Sequence, residues 1–389
     1  MKMILVTLGS MGDVLPFIAL GIRLRQRGHE VTVLGHRWDE QLILGSGLEF
    51  YSILGFEEGQ KALKHPDLFH PEKRLPTLKQ HLYFPATLPT FDYIAKHFVW
   101  GDTVVVGPPW AYGARFAQEK LGVPLLTVLL APWNFHEGEA DPPPTDTELH
   151  RLLNGLRDKI GLEPISVPLL AWRNSPEKIV ALFPEWFCEQ EDWPDHALMT
   201  SFSMFDGSSS RRLETEVEEF LAKGERPLVF TTGTKMTQED TFFEGALEAS
   251  LQLGKRAIFL ALFPGQFPTK LPDSVQVFDY VPLSLLLPHT EILVYHGGIG
   301  TCSHAFSAGL PHLIVPMIYD QFDNANRVAS LGVGDQVQKE DYQGSIVAKK
   351  IEQLLGSEKV QKRCRTIAEQ LEGEDALSET SLIIEAIVQ

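Results

Sequence analysis

Residues able to do chemistry concentrate in Tyr295-His296-Gly297-Gly298-Ile299-Gly300-Thr301, a run that follows an apolar strand and opens a helical pattern. That arrangement suits an anion. Glycines let a phosphate approach the backbone, the first N–H groups of a helix lack intrahelical acceptors, and the helix dipole adds partial positive charge. His296 can donate to the same anion. A glycine turn alone is weak evidence, because ligand-free strand-to-helix turns also use glycine. Its weight comes from the segment that follows, Gly309-Leu-Pro-His-Leu-Ile-Val-Pro316-Met-Ile-Tyr-Asp320-Gln321-Phe-Asp-Asn324. It places a carboxylate and an amide just past a strand end, where open α/β sheets bind ligands. Asp320 and Gln321 suit sugar hydroxyls. Near the N-terminus Gly9-Ser10-Met11-Gly12-Asp13-Val14-Leu15-Pro16 forms a second glycine turn, in which Asp13 is a candidate helix N-cap.

Strands must end at these runs to present them. The first half reads as a strand from Met3 to Leu8, a helix from Val14 to Arg27 and a strand from Val31 to Leu34, which is a βαβ unit. Apolar runs at 103–107 and 124–130, with a helix between them, suit a parallel sheet covered on both faces. From about Gly55 to Trp100 the pattern is irregular and rich in Pro, His and aromatics, the kind of insertion that shapes a pocket. His65, His70 and His81 within it read as surface or pocket-wall residues rather than ligands. After Asp206-Gly-Ser-Ser-Ser-Arg-Arg the strand–helix alternation begins afresh. The expected division is an acceptor domain 1–206, a linker 207–216 and a nucleotide-binding domain 217–389. The last helical segment, from Ser378 to Val388, is expected to be able to cross back to the first domain. Trp110, Tyr112, Trp133 and Phe135 fall in loops after two first-domain strands and could line an apolar acceptor pocket, with core packing an equal reading for each.

A chain of 389 residues exceeds the size at which one core stops growing, so two domains are expected. A composition of 44% apolar and 22% charged residues is that of an ordinary globular protein. The net charge of −17 argues against a nucleic-acid partner, which needs clustered Lys and Arg. Cys188, Cys302 and Cys364 lack metal-ligand or disulfide spacing and read as buried thiols. Nothing approaches the roughly 18 consecutive apolar residues of a membrane span, and no leader pattern is evident. A cytoplasmic protein with at most peripheral membrane contact is expected.

The glycine run and the Asp-Gln segment, with Tyr280-Val281-Pro282 and the N-terminal Leu8-Gly9-Ser10-Met11-Gly12-Asp13 turn, resemble family 1 glycosyltransferases of the GT-B fold over essentially the whole chain. Ser175-Pro176-Glu177, Leu182-Phe-Pro-Glu-Trp-Phe187, Asp192-Trp-Pro194, Phe205-Asp206 and Asp320-Gln-Phe-Asp-Asn-Ala325 are most similar to bacterial rhamnosyltransferases of the rhamnolipid type. The resemblance implies two Rossmann-like α/β domains facing across a cleft, a nucleotide-sugar donor, an apolar hydroxylated acceptor and inversion at the anomeric carbon. It assigns the diphosphate to His296, Gly298, Gly300 and Thr301, and the donor sugar to Asp320 and Gln321. Thr232, Gly233 and Thr234 match a phosphate-touching turn, Ser10 joins the donor set, and Tyr280 and Val281 flank the base. Asp13 inherits the general base, standing where relatives carry a histidine; capping the helix is its compatible structural role. Tyr280 replaces a stacking Trp and Leu283 a Gln. His304 replaces a carboxylate that hydrogen-bonds ribose, which favours dTDP over UDP. No cofactor and no metal are expected, because no Asp-x-Asp motif follows a strand end and the helix start with His296 stabilises a leaving diphosphate without one.

Two other readings of the same architecture are a nucleotide-sugar epimerase, which needs neither acceptor pocket nor Asp13, and a non-catalytic nucleotide-sugar-binding protein. A dinucleotide dehydrogenase is disfavoured, since Gly9-Ser-Met-Gly12 lacks the three-glycine fingerprint.

Overall fold

The computed structural model describes residues 1–63, 65–69, 73–135, 147–188, 193–207, 212–233, 240–262 and 266–387. The chain forms two compact units, one of Met1–Ser203 with Asp375–Gln389, the other of Met204–Glu374.

In the first unit seven strands pair in parallel: β1 (Lys2–Val6), β2 (Glu30–His36), β3 (Glu49–Leu54), β4 (Thr103–Gly107), β5 (Leu125–Leu129), β6 (Lys178–Ala181) and β7 (Ala197–Met199), in spatial order 3-2-1-4-5-6-7. All five residues of β4 and of β5 are buried, as expected of central strands covered on both faces. The order reverses between β1 and β4, and the loops leaving these two strands carry Ser10 and Trp110.

The second unit repeats the plan with β8 (Leu228–Thr231), β9 (Ala257–Leu260), β10 (Val275–Phe278), β11 (Ile292–Tyr295), β12 (His312–Ile314) and β13 (Gly334–Gln336), in spatial order 10-9-8-11-12-13. Its reversal lies between β8 and β11, whose loops carry Thr232-Gly233 and His296. Crevices at such reversals, beyond the strands' carboxyl ends, are where α/β sheets bind ligands.

Two points differ from the sequence reading. The segment 55–100 contains helices Phe56–Leu63, Arg74–Leu78 and Thr87–His97, with a π-helical turn Lys79–Tyr83. Proline interruptions and short lengths hid their period. Leu82, Tyr83, Ala86, Phe91 and Ile94 from this segment belong to the main core of the unit, so it builds core as well as surface. Second, the division falls after Ser203, and helix Thr215–Ala222 belongs to the second unit. The linker residues 208–211 lie outside the described residues. The terminal helix Ala376–Ala386 belongs to the first unit, where it packs on helix Met11–Gln26. Arg23 meets Asp375 at 3.1 Å, Arg27 meets Glu385 at 2.7 Å, and His29 Nε2 lies 2.7 Å from Glu385 Oε1. The Arg27 and His29 hydrogen bonds hold the Glu385 carboxyl down at about 2.

Candidate functional site

The helix Met11–Gln26 starts at Ser10, and its third residue is Asp13. One oxygen of the Asp13 carboxylate accepts the Ser10 N–H at 2.6 Å and the Ser10 hydroxyl at 2.8 Å. Thr7 Oγ1 donates to the Asp13 carbonyl at 3.1 Å. This folding-back needs a glycine at position 9. Gly9 has φ +140°, and a side chain there would stand 2.7 Å from the carboxyl carbon of Asp13. The helix start of the first unit is therefore closed by its own carboxylate, which is the charge its dipole favours.

The corresponding place in the second unit is left open. Helix Ile299–Ser307 begins at Gly298, and no side chain caps it. The N–H groups of its first turn have no intrahelical acceptor. His296 sits between Gly233 and Gly298: a Cβ at Gly233 would lie 2.6 Å from its Cε1, and one at Gly298 2.5 Å from its Nε2. Burial pushes the imidazole down to about 4, so it is neutral at pH 7, and Nδ1 has no hydrogen-bond partner among the described residues. The fully buried Thr232 likewise leaves its hydroxyl without a partner among the described residues. Uncompensated buried polar atoms are costly and mark places where a ligand completes the bonding. Gly297, with φ +94°, passes so close to β12 and the next helix that a Cβ would stand 2.8 Å from Ile314 Cγ2. Gly300 is different, since nothing lies within 4 Å of a Cβ built there. Thr301 is half-buried in the same turn, and Thr234 lies outside the described residues, as does His70.

Helix Asp320–Ser330 follows a backbone turn in which Tyr319 takes φ +49°. Gln321 is buried, and its side-chain oxygen accepts from the Met317 and Ile318 N–H groups at 2.9 and 3.1 Å. It shapes the turn that delivers Asp320. Asn324, which the sequence reading did not single out, donates to the Gly297 carbonyl at 2.9 Å and to the Asp320 carboxylate at 3.0 Å. Its signal was available: it stands one helical turn after Asp320 and on the same face.

Tyr280 is exposed, Val281 is buried, and both follow β10. The Tyr280 hydroxyl donates to the Asp206 carbonyl, and burial together with Asp206 pushes it up to about 12. The Asp206 carboxylate accepts from the Ser284 N–H at 3.1 Å and its hydroxyl at 2.7 Å. Expected as the last residue of the first domain, Asp206 instead belongs to the second unit and caps the turn beside Tyr280. His304 is buried, which lowers its pKa, and Asp206 opposes that shift.

The aromatic residues divide differently from the acceptor-pocket expectation. Trp110, Tyr112 and Phe135 are all buried, the first two within the main core cluster, and Trp133 is half-buried. Trp110 donates its indole N–H to the Leu8 carbonyl at 2.8 Å and stacks on Tyr83 at 5.6 Å. Phe135 packs on Trp193 at 4.0 Å. These rings face neighbours in the fold, and Trp110 braces the turn that carries Ser10 and Asp13. Among the described residues no group of three His, Cys, Asp or Glu is placed to hold a metal ion, and no helix is long and apolar enough to cross a membrane.

Comparison with known proteins gives the class. Residues 3–137 match the glycosyltransferase family 28 N-terminal domain, and residues 264–386 match the erythromycin biosynthesis protein CIII-like C-terminal domain. The first match lies within the first unit, and the second spans much of the second unit and runs on into the terminal helix of the first. The chain is 28% identical over 367 residues to O-mycaminosyltylonolide 6-deoxyallosyltransferase of Streptomyces fradiae, covering 85% of this chain and 84% of that protein. It is 26% identical to a sterol 3-beta-glucosyltransferase of Arabidopsis thaliana, covering 97% of this chain but 64% of the plant protein. The crystal structure of the glycotransferase of kitacinnamycin superposes with a TM-score of 0.81 at 17% identity, covering 100% and 99% of the two chains. The chain belongs to the family 1 glycosyltransferases of the GT-B fold.

Proposed function

We propose that the chain is an inverting hexosyltransferase that moves a rhamnose- or glucose-type sugar from a dTDP- or UDP-sugar to a hydroxyl of an apolar small molecule or lipid. The observation that carries this reading is the uncapped helix start at Gly298, flanked by the unpartnered Nδ1 of His296 and hydroxyl of Thr232. Neutral donors and a helix dipole, all fixed before the ligand arrives, are what a departing diphosphate needs.

In the proposed reaction the acceptor oxygen forms a bond to the anomeric carbon as the bond from that carbon to the diphosphate oxygen breaks. The acceptor's proton passes to Asp13, and the negative charge leaves on the diphosphate. Helix N–H groups and His296 stabilise that charge, so the reaction needs no metal and no cofactor. Asp320 and Gln321 hold the sugar, and Ser10 keeps the Asp13 carboxylate in place. Relatives named for deoxyallosyl transfer to a tylonolide and for glucosyl transfer to sterols support an apolar acceptor. The buried imidazole of His304, in place of a ribose-binding carboxylate, supports a dTDP donor, whose deoxyribose lacks the 2′ hydroxyl. The enzyme works in the cytoplasm, reaching a lipid acceptor by peripheral contact.

The test is release of nucleoside diphosphate from dTDP-rhamnose, dTDP-glucose, UDP-glucose and UDP-N-acetylglucosamine, with hydroxy-fatty-acid, phenolic and sterol acceptors. Turnover that requires an acceptor, survives a chelator and inverts the anomeric centre supports the reading. Acceptor-independent release would favour an epimerase of the same fold.

A further inference from the structure

The geometry points to Asn324 as a positioning residue that ties the diphosphate turn to the sugar-binding carboxylate, so that the two ends of the donor are held as one unit. The inference rests on the donor site proposed above and adds a residue to it. It starts from how the amide is used. Asn324 has no solvent exposure, and both of its hydrogen-bond partners, the Gly297 carbonyl at 2.9 Å and the Asp320 carboxylate at 3.0 Å, are acceptors. Only the nitrogen end can serve them, so the orientation of the amide is fixed by chemistry. Its oxygen is left buried and without a partner among the described residues. A fold that wanted only a stable helix would satisfy that oxygen or place an apolar side chain there.

The direction of the Gly297 bond has a consequence. In a trans peptide the C=O and the following N–H point opposite ways. By drawing the Gly297 carbonyl toward helix Asp320–Ser330, Asn324 turns the N–H of Gly298 away from it. Gly298 is the residue at which helix Ile299–Ser307 begins. The φ of +94° at Gly297, and its close approach to Gln321, are the backbone cost of that arrangement. The second amide hydrogen orients the Asp320 carboxylate, one helical turn away, toward the same turn. Diphosphate donors and sugar acceptor thus share a single side chain.

Three proteins separate positioning from mere stability: wild type, Asn324→Ala and Asp320→Asn. Each is titrated with thymidine and uridine diphosphate, which lack the sugar, and assayed for kcat and KM with the matching nucleotide sugar. Losing a neutral hydrogen bond at the turn and a charge-assisted one at the carboxylate predicts that Asn324→Ala weakens nucleoside diphosphate binding about tenfold and lowers kcat/KM by about a hundredfold. Asp320→Asn is expected to leave diphosphate binding unchanged and to affect only the sugar-dependent constants. Asn324→Ser, whose hydroxyl donates one bond, is expected to fall between wild type and alanine, and serves in its place should the alanine variant fail to fold. A folded Asn324 variant with wild-type diphosphate affinity, or with equal losses in both readouts, overturns the inference while leaving the donor site standing. Absence of diphosphate binding by wild type overturns the donor site itself.

Discussion

The imidazole of His296 occupies the space that a side chain on Gly233 would need, with Cε1 2.6 Å from where that Cβ would stand. The two residues leave the carboxyl ends of β8 and β11, neighbouring parallel strands at the reversal of the second sheet. A Gly233→Ala substitution must move the ring and also places a side chain at φ +79°, a strain of about 1 kcal/mol. The expected outcome is a folded protein with a slightly lower melting temperature and a nucleoside diphosphate affinity reduced by at least tenfold, read by calorimetric titration.

Proton linkage gives a second test. Burial places His296 at about 4 in the free protein, and a bound anion raises that value. Diphosphate binding is therefore expected to take up protons at pH 5 to 6, in the window between the free and bound values, as measured by calorimetry in buffers of different ionisation enthalpy. Removing the imidazole with His296→Asn should abolish the uptake.

Stability should follow the same groups. His296 at about 4 and His312 at about 3 both lie below the unfolded value of about 6.5, each because burial disfavours the charged ring. Unfolding then binds protons that the native state refuses. Their contribution is fully present above pH 6.5 and is lost as pH falls toward 3. The melting temperature is expected to drop across that window, and His312→Asn should flatten the drop.

Asp13→Asn separates the cap from the base. The amide oxygen can still accept from the Ser10 N–H and hydroxyl, now held at 2.6 and 2.8 Å, so the helix start and the melting temperature should stay near wild type. An amide cannot take the acceptor's proton, and kcat is expected to fall by a factor on the order of 10² to 10⁴. An unchanged kcat leaves Asp13 a cap only.

Trp110→Phe removes the indole bond to the Leu8 carbonyl while keeping most of the stacking on Tyr83. A buried carbonyl left unpaired costs about 1–3 kcal/mol, which chemical denaturation should register. Because that carbonyl precedes Gly9, which makes room for the Asp13 carboxylate, kcat is expected to fall with donor KM unchanged.

Much of this arrangement was legible in the sequence, for identifiable reasons. Strand-to-helix turns announce themselves because glycine, a preceding apolar run and a following helical period coincide at Gly297–Gly300 and at Gly9–Gly12. The role of Trp110 was not legible, since an aromatic after a strand reads alike whether its ring lines a pocket or its indole N–H reaches a carbonyl 102 positions away. Asp206 was misplaced for a similar reason: the polar, glycine-rich run after it made it read as the end of the first domain, and only the fold brings Ser284 to its carboxylate. The helices of 55–100 were lost because two are too short for a 3.6-residue period to emerge and the third, Thr87–His97, carries Pro89 in its first turn.

The central claim is that a diphosphate binds at the open helix start of the second unit, and Gly300→Ala tests it most directly. Beyond its own helix and chain neighbours, a methyl group there meets no described residue within 4 Å, and alanine favours a helix over glycine by about 1 kcal/mol. The account predicts a variant at least as stable as wild type whose affinity for thymidine or uridine diphosphate falls by an order of magnitude or more, because the methyl occupies the approach to the first-turn N–H groups. Wild-type affinity in that variant would contradict it.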